Sequence, residues 1–306
     1  MSKFVLFLRY WSELFLARVF SLLPIDVASG IGAAIARYEV TRALKLQRKW
    51  VMRLHHNFEQ LEGIKDSNSR VQRILQHAEH LGRLYAEYPV LHKIANKRLT
   101  VKGEEYLQGL SGPAIFVSAH TGQWELILEV MRRSQVSTAL LYDPIPNKVF
   151  LKVAMEVRKH LCPEAKGNKF IPASASAARE LVGCLKAGEN LVIFIDEDKG
   201  GLVWSPALGR KIPFAGNRMM AARLAVKFQV PIVPIHLKRK GGAQFEAVVE
   251  QPICPGNDEY ESATELAVRL NTILGKWLEE DYADWYWLAR LNLEREFPDK
   301  YFKVKN

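Results

Sequence analysis

The stretch Ala114-Ile-Phe-Val-Ser-Ala-His-Thr-Gly-Gln-Trp-Glu125 passes from an apolar run into a bend and then into helix-compatible sequence. Ala114 to Val117 carries no polar side chain, the pattern of a strand covered on both faces. Thr121-Gly122 offers the bend, since glycine adopts turn conformations that other residues resist. A buried strand that stops at His120 and gives way to a helix is the repeating unit of an α/β sheet, and ligands of such sheets gather at the carboxyl ends of the strands.

The rest of the chain agrees with that unit. Leu99-Thr-Val101, 137–142, 191–195, 231–237 and 245–249 read as further strands, and 123–134, 147–160, 176–187, 216–228 and 261–280 as helices between them. This alternation predicts an α/β fold with a mixed central sheet flanked by helices. The run Leu191-Val-Ile-Phe-Ile195 ends in Asp196-Glu-Asp198, so Asp196 is placed at a strand end as His120 is. Residues 26–95 read differently, as a helical region with small residues over 28–34 and two long stretches at 40–62 and 68–95. The expected divisions are 1–24, an N-terminal membrane-interface or anchoring helix; 25–95, helices packed on the core; and 96–306, the α/β core.

The first 24 residues are rich in Phe, Leu, Val and Trp but contain Arg9, Glu13 and Arg18. A spanning helix wants about 18 or more nearly uninterrupted apolar residues, and no small-residue cleavage site marks a signal peptide. On a helix the charged residues leave a broad apolar surface, which suits a segment lying in a membrane interface; an ordinary helix packed on the core is the alternative. Lys plus Arg outnumber Asp plus Glu by 43 to 33, a net charge of +10, which favours an anionic partner. Nucleic acid is disfavoured as that partner, because no helix combines a basic reading face with a recognition motif. Cys162, Cys184 and Cys254 are odd in number, lack a CxxC pair and read as reduced thiols.

The pair His120 and Glu125 suggests chemistry. Within one regular helix, five residues would separate them by about 140° around the axis, so they meet only if His120 precedes the helix and the chain bends at Thr121-Gly122. A neutral imidazole could then take a proton from a hydroxyl while the carboxylate orients the ring. The plain alternative is a hydrogen-bonded strand-end histidine and a glutamate that merely favours a helix N-terminus.

Four segments in order resemble one family. His120-Thr-Gly-Gln-Trp-Glu125 resembles an HxGNWE box, with Gln123 where Asn is usual. Tyr142-Asp-Pro-Ile-Pro-Asn147 resembles a Tyr-Arg-Pro…Asn stretch, Asp198-Lys-Gly-Gly201 with Phe214-Ala-Gly216 resembles a DQD…PFFG region, and Pro231-Ile-Val-Pro234 resembles a later proline strand. Together they are similar to the late acyltransferases of lipid A biosynthesis, the Kdo-dependent lauroyl and myristoyl transferases, within the lysophospholipid acyltransferase superfamily.

That resemblance implies an acyltransferase with His120 as general base and Glu125 as its orienting acid. It implies no cofactor, an acyl thioester donor on acyl carrier protein or coenzyme A, and a membrane glycolipid acceptor, a lipid A precursor or a relative. It also implies a place on the cytoplasmic face of the inner membrane, peripheral or held by one anchor. The sequence departs from the family at Asp143, where an arginine is common, so a cationic contact to substrate phosphate or to the catalytic acid is either missing or supplied by Arg158 or Lys148. It departs again at Glu197 for Gln, and at Trp287-Leu-Ala-Arg290, which lacks a His and an Arg of a Trp-x-His-Arg-Arg signature.

Other polar residues are candidate substrate contacts: Asn147, Arg158, Asp196, Asp198, Arg210 and Arg218. Clustered carboxylates at 196–198 suit a hard cation, and His77 and His80 have i, i+3 spacing; neither has the further ligands of a metal site, and no metal is expected. Trp285, Tyr286 and Trp287 fit either interface anchoring or core packing. The rival readings are a glycerophospholipid or lysophospholipid acyltransferase, whose usual box ends in Asp rather than Glu, and a non-catalytic lipid-binding protein.

Overall fold

The computed structural model describes residues 3–255 and 262–302, except for the side chains of residues 3–10. In chain order the helices are α1 (Lys3–Leu22), α2 (Ile25–Lys45), α3 (Lys49–Glu62), α4 (Ser67–Glu87), α5 (Leu91–Lys97), α6 (Glu105–Gln108), α7 (Ile127–Arg133), α8 (Lys148–Leu161), α9 (Ala177–Lys186), α10 (Gly216–Phe228) and α11 (Ala263–Glu280). The strands are β1 (Leu99–Lys102), β2 (Ile115–Ser118), β3 (Thr138–Tyr142), β4 (Lys169–Pro172), β5 (Asn190–Phe194), β6 (Ile232–Gly241) and β7 (Gln244–Val249). They form one sheet in the order β1-β7-β6-β2-β5-β3-β4. All neighbours are parallel except β6 and β7, which are antiparallel. The fold is the expected α/β class with a mixed sheet and a helical N-terminal region.

β2 lies between β5 and β6, and its four residues are buried. Successive strand side chains point to opposite faces, which divides the core in two. Ile115, Val117, Leu191, Ile193 and Ile232 belong to one apolar cluster with residues of α3, α4, α9, α10 and α11. Phe116, Val192, Val233 and Ile235 belong to the other, with residues of α5 and α7. A sheet covered on both faces needs apolar residues at both phases of the alternation, which explains the unbroken runs at 114–117 and 191–195.

Several elements differ from the sequence expectation. The stretch 40–62 divides between α2 and α3, because Gln47 takes a left-handed φ of 47° and Arg48 is extended. The stretch 68–95 breaks after α4 into a 3-10 turn, Tyr88–Val90, where Pro89 cannot donate a helical hydrogen bond. β4 was not foreseen: only Ile171 of its four residues is buried, too little for a period-2 signal. The expected helix at 123–134 begins as a 3-10 turn, Trp124–Leu126, before α7.

α2 and α4 cross in close contact through glycines. A Cβ on Gly32 would stand 2.2 Å from the Gly82 carbonyl oxygen, and one on Gly82 would stand 2.1 Å from that of Gly32. α1 is tied to the rest through its polar side chains: Glu13 accepts from Asn147 at 3.0 Å, and Arg18 pairs with Glu156 at 3.2 Å. Leu14 is buried and Phe20 packs against the core, whereas Phe15 and Leu22 point outward, 68% and 82% exposed. The third charged position of the expected polar face, Arg9, lies outside the described side chains. Among the described residues, no helix is long and apolar enough to cross a membrane.

Candidate active site

The site begins where β2 ends. Ser118 Oγ donates to the Ile235 carbonyl at 2.7 Å and Thr121 Oγ1 to that of Leu237 at 2.8 Å, fastening both sides of the bend to β6. Gly122 sits between them and α7 with φ of 60°, and a Cβ there would stand 2.9 Å from the Leu237 carbonyl oxygen. Its amide donates to Asp284 Oδ2 at 2.8 Å. Left-handed backbone and the lack of space both call for glycine.

His120 is held by Asp196, from the end of neighbouring β5. The ring Nδ1 and Asp196 Oδ1 are 2.8 Å apart, and the His120 amide donates to Asp196 Oδ2 at 2.8 Å. Asp196 is fully buried and receives a further bond from Trp285 Nε1 at 2.9 Å. Its backbone carbonyl accepts from Trp287 Nε1 at 2.7 Å, and the His120 carbonyl accepts from the Tyr286 amide at 3.0 Å. An ionised carboxylate accepts only, so Nδ1 carries the proton and Nε2 keeps its lone pair. Among the described residues no hydrogen bond engages Nε2. The ring is enclosed by Trp124, Phe194 and Trp287, with centroids 5.0, 4.6 and 5.5 Å away, and its side chain stays 22% exposed.

The sequence reading expected Glu125 against the ring; the structure puts Asp196 there. Glu125 faces Arg158 of α8, which donates from Nε to Oε2 at 2.9 Å and from Nη2 to Oε1 at 2.5 Å, and Tyr88 Oη donates to Oε1 at 3.0 Å. The reason is local. The 3-10 turn at 124–126 directs Trp124 toward the imidazole and leaves Glu125 buried toward α8. Burial alone would lower the proton affinity of Arg158, but the Glu125 carboxylate raises it above the ordinary guanidinium range. Arg158 also stacks on Tyr142, 5.1 Å from the ring centroid. Of the two cations considered in place of one at 143, Arg158 is the one that pairs with Glu125.

The remaining candidates are spread out. Asp198 accepts from Arg290 Nη1 at 2.9 Å. Asn147 caps α8, accepting from the Phe150 amide at 2.9 Å, and donates to Glu13. Arg210 donates to the carbonyls of Val203 and Ala207 at 3.0 Å each. Arg218 donates to Ser205 Oγ at 3.2 Å, Asn271 Oδ1 at 2.5 Å and the Pro213 carbonyl at 2.7 Å. Burial lowers both arginines to about 10. Arg210 thus ties the segment 203–210 to itself, while Arg218 holds the segment 203–213 to α10. Of the binding candidates, the structure joins Asp196 to His120 and Arg158 to Glu125.

The carboxylates at 196–198 do not converge on one point. Asp196 serves His120, Asp198 serves Arg290, and Glu197 accepts from the Asn217 amide at 2.7 Å, its proton affinity raised by burial. His77 and His80 are both lowered to about 4, chiefly by burial, and lie against the Ala283 carbonyl and Asp284. Among the described residues no group of three or more His, Cys, Asp or Glu could hold a metal.

A buried aspartate, a protonated Nδ1 and an open Nε2 at the carboxyl ends of the parallel strands β2 and β5 make an arrangement that can accept a proton from a hydroxyl group. The chain belongs to the bacterial lipid A biosynthesis acyltransferases, whose family model matches residues 1–294, and it is an acyltransferase. Among curated proteins no sequence matches it. Among solved structures it is similar to the 1-acyl-sn-glycerophosphate (LPA) acyltransferase PlsC from Thermotoga maritima, at 14% identity and a TM-score of 0.42, over 86% of this chain and 99% of that one.

Proposed function

We propose that the protein transfers a fatty acyl chain from a thioester, on acyl carrier protein or coenzyme A, to a hydroxyl of a membrane glycolipid, a lipid A precursor or a close relative. His120 Nε2 takes the proton of the acceptor hydroxyl as its oxygen attacks the thioester carbonyl. The C–S bond then breaks, and the imidazolium returns the proton to the leaving sulfur. Asp196 keeps the ring in the reactive tautomer and steadies its charge during the step. No side-chain nucleophile is involved.

The observation that carries this reading is the bond between His120 Nδ1 and Asp196 Oδ1, made beside an aromatic enclosure that leaves the ring partly accessible. Glu125 acts as a positioning residue: through Arg158 and Tyr88 it fixes the turn that presents Trp124 to the imidazole. The net charge of +10 suits an acidic carrier and an anionic lipid acceptor. The outward apolar residues of α1 support a peripheral seat on the membrane, which this reading assigns to the cytoplasmic face of the inner membrane.

The test compares membrane lipids by mass spectrometry from cells with the wild-type protein, with His120→Ala and with none. A mass increase of one acyl chain on a glycolipid, present only with the wild type, is the expected result. The same increase with His120→Ala would sink the proposed role of the imidazole.

A further inference from the structure

An apolar cleft of about 530 Å³ lies between α1, α2, α4 and α8, lined among others by Ala17, Gly32, Ile35, Tyr85, Tyr88 and Phe150. That volume is within the range of small-molecule sites, roughly 300–1,000 Å³. Two features of its position set it apart from an ordinary surface groove.

Its inner wall touches the active site through Tyr85 and Tyr88. Tyr88 donates to Glu125 at 3.0 Å, and Tyr85 Oη lies 3.0 Å from Tyr286 Oη. Tyr286 in turn packs on Trp124 with a centroid separation of 5.2 Å, and Trp124 packs on His120. One apolar cluster joins Leu14 and Ala17 of α1 to Tyr88, Phe150, Trp124 and Tyr286. From cleft-lining Tyr85 the contacts reach the imidazole through Tyr286 and Trp124.

Its mouth lies on the most apolar exposed surface. Leu16 and Ile35 are 55% and 58% exposed and line the cleft as well. Beside them Phe15, Leu22, Val27, Ile31 and Tyr38 are exposed on the same two helices. Beyond the end of α2, exposed Leu46, Trp50 and Met52 alternate with Lys45, Arg48, Lys49 and Arg53, which are also exposed. Apolar residues bordered by cations match the acyl boundary and the headgroups of an anionic bilayer. Gly32 and Gly82 at the α2–α4 crossing line the cleft together with Ala36 and Ala86, so its floor carries only small residues.

We infer that this cleft is a lateral portal, in which a fatty tail of the bilayer-resident acceptor lipid lies while its headgroup hydroxyl is presented to His120. The inference rests on the acyl-transfer reading for the identity of that lipid. Its occupant comes from the bilayer rather than from the water-borne donor, because the mouth opens among the residues suited to lipid contact.

The test uses the full chain with vesicles of phosphatidylcholine and phosphatidylglycerol carrying a tracer phosphatidylethanolamine whose fatty tail ends in a diazirine. After photolysis, adducts are expected on cleft residues such as Ile35, Tyr85 and Phe150. Ile35→Trp and Leu16→Trp, both at the exposed mouth, are expected to lower cleft labelling about tenfold while vesicle co-sedimentation is unchanged. Ile31→Trp, on the same face but outside the cleft, leaves it intact. Adducts confined to Phe15, Leu22 and Tyr38 would overturn the portal, as would cleft labelling by a diazirine acyl-coenzyme A in solution but not by the vesicle lipid. Labelling needs no reaction, so His120→Ala retains it. Transfer that survives in His120→Ala defeats the catalytic reading alone, whereas an unlabelled cleft in the wild type defeats the portal alone.

Discussion

Asp196 grips His120 twice, accepting from the ring Nδ1 with one carboxylate oxygen and from the backbone amide with the other, each at 2.8 Å. The orientation of the imidazole and the end of β2 are thus set by a single buried side chain of the next strand.

Replacement of Asp196 by Asn keeps the size but removes the charge and gives one arm donor character. One of the three donors at the carboxylate, from His120 Nδ1, the His120 amide or Trp285, then faces an N–H. The expected loss in kcat is about 10²–10⁴-fold, the usual span for a general base with its proton placement disturbed. Steady-state kinetics on folded protein checks this, and wild-type kcat in Asp196→Asn would exclude the pairing from the mechanism.

Glu125 and Arg158 form a buried ion pair, so removing either partner strands a charge. Glu125→Ala is expected to cost about 3–5 kcal/mol of stability. The double variant Glu125→Ala/Arg158→Met should cost much less than the sum of the single changes. Denaturant titrations of the four proteins form the cycle; additive costs would mean that the two side chains are not coupled.

Gly122→Ala introduces a side chain at φ of 60° and within 2.9 Å of a carbonyl oxygen of β6. A destabilisation of about 1–3 kcal/mol is expected from the strain, with a larger effect on kcat than Gly188→Ala, which is also left-handed but has open space around it. Thermal melts and rates of the two variants separate local strain from damage to the site.

His236 is stacked on Trp277, and burial lowers it to about 3 from 6.5. The unfolded chain therefore binds this proton below pH 6.5 while the folded one does not. Stability is complete above pH 6.5 and is lost as pH falls from there toward 3. Asp284 acts in the opposite sense: burial raises it to about 7, so the folded state gains stability as pH falls from 7 toward 4. Since His236 Nδ1 is buried without a hydrogen-bond partner, His236→Phe should keep the stack and reduce the pH dependence between 4 and 6.5 by about one proton. An unchanged slope in chemical denaturation across that range would rule out His236 as its source.

The α/β class was legible because β2 and β5 are covered on both faces and must be apolar throughout. α10 was legible to both its ends, with Gly216 at the start and a left-handed Gln229 at its close. β4 was not, since an edge strand with one buried residue leaves almost no pattern. At the site, His120 and the bend at Gly122 followed from the strand-to-helix junction. The carboxylate partner did not, because spacing along the chain favours Glu125 whereas pairing across the sheet selects Asp196, 76 residues away. Tyr88 and the indoles of Trp285 and Trp287 were missed as site residues for the same reason. The crowding of aromatics at 285–287 was the available signal, and it fitted core packing equally well.

The two indoles that bind Asp196 arrive after α11, in the closing part of the chain. Every strand precedes them in sequence, as it precedes the Tyr286 amide that donates to the His120 carbonyl. The orientation of the imidazole therefore depends on the docking of residues 285–287 onto a sheet whose strands all precede them, so losing either indole loosens His120 without touching a strand.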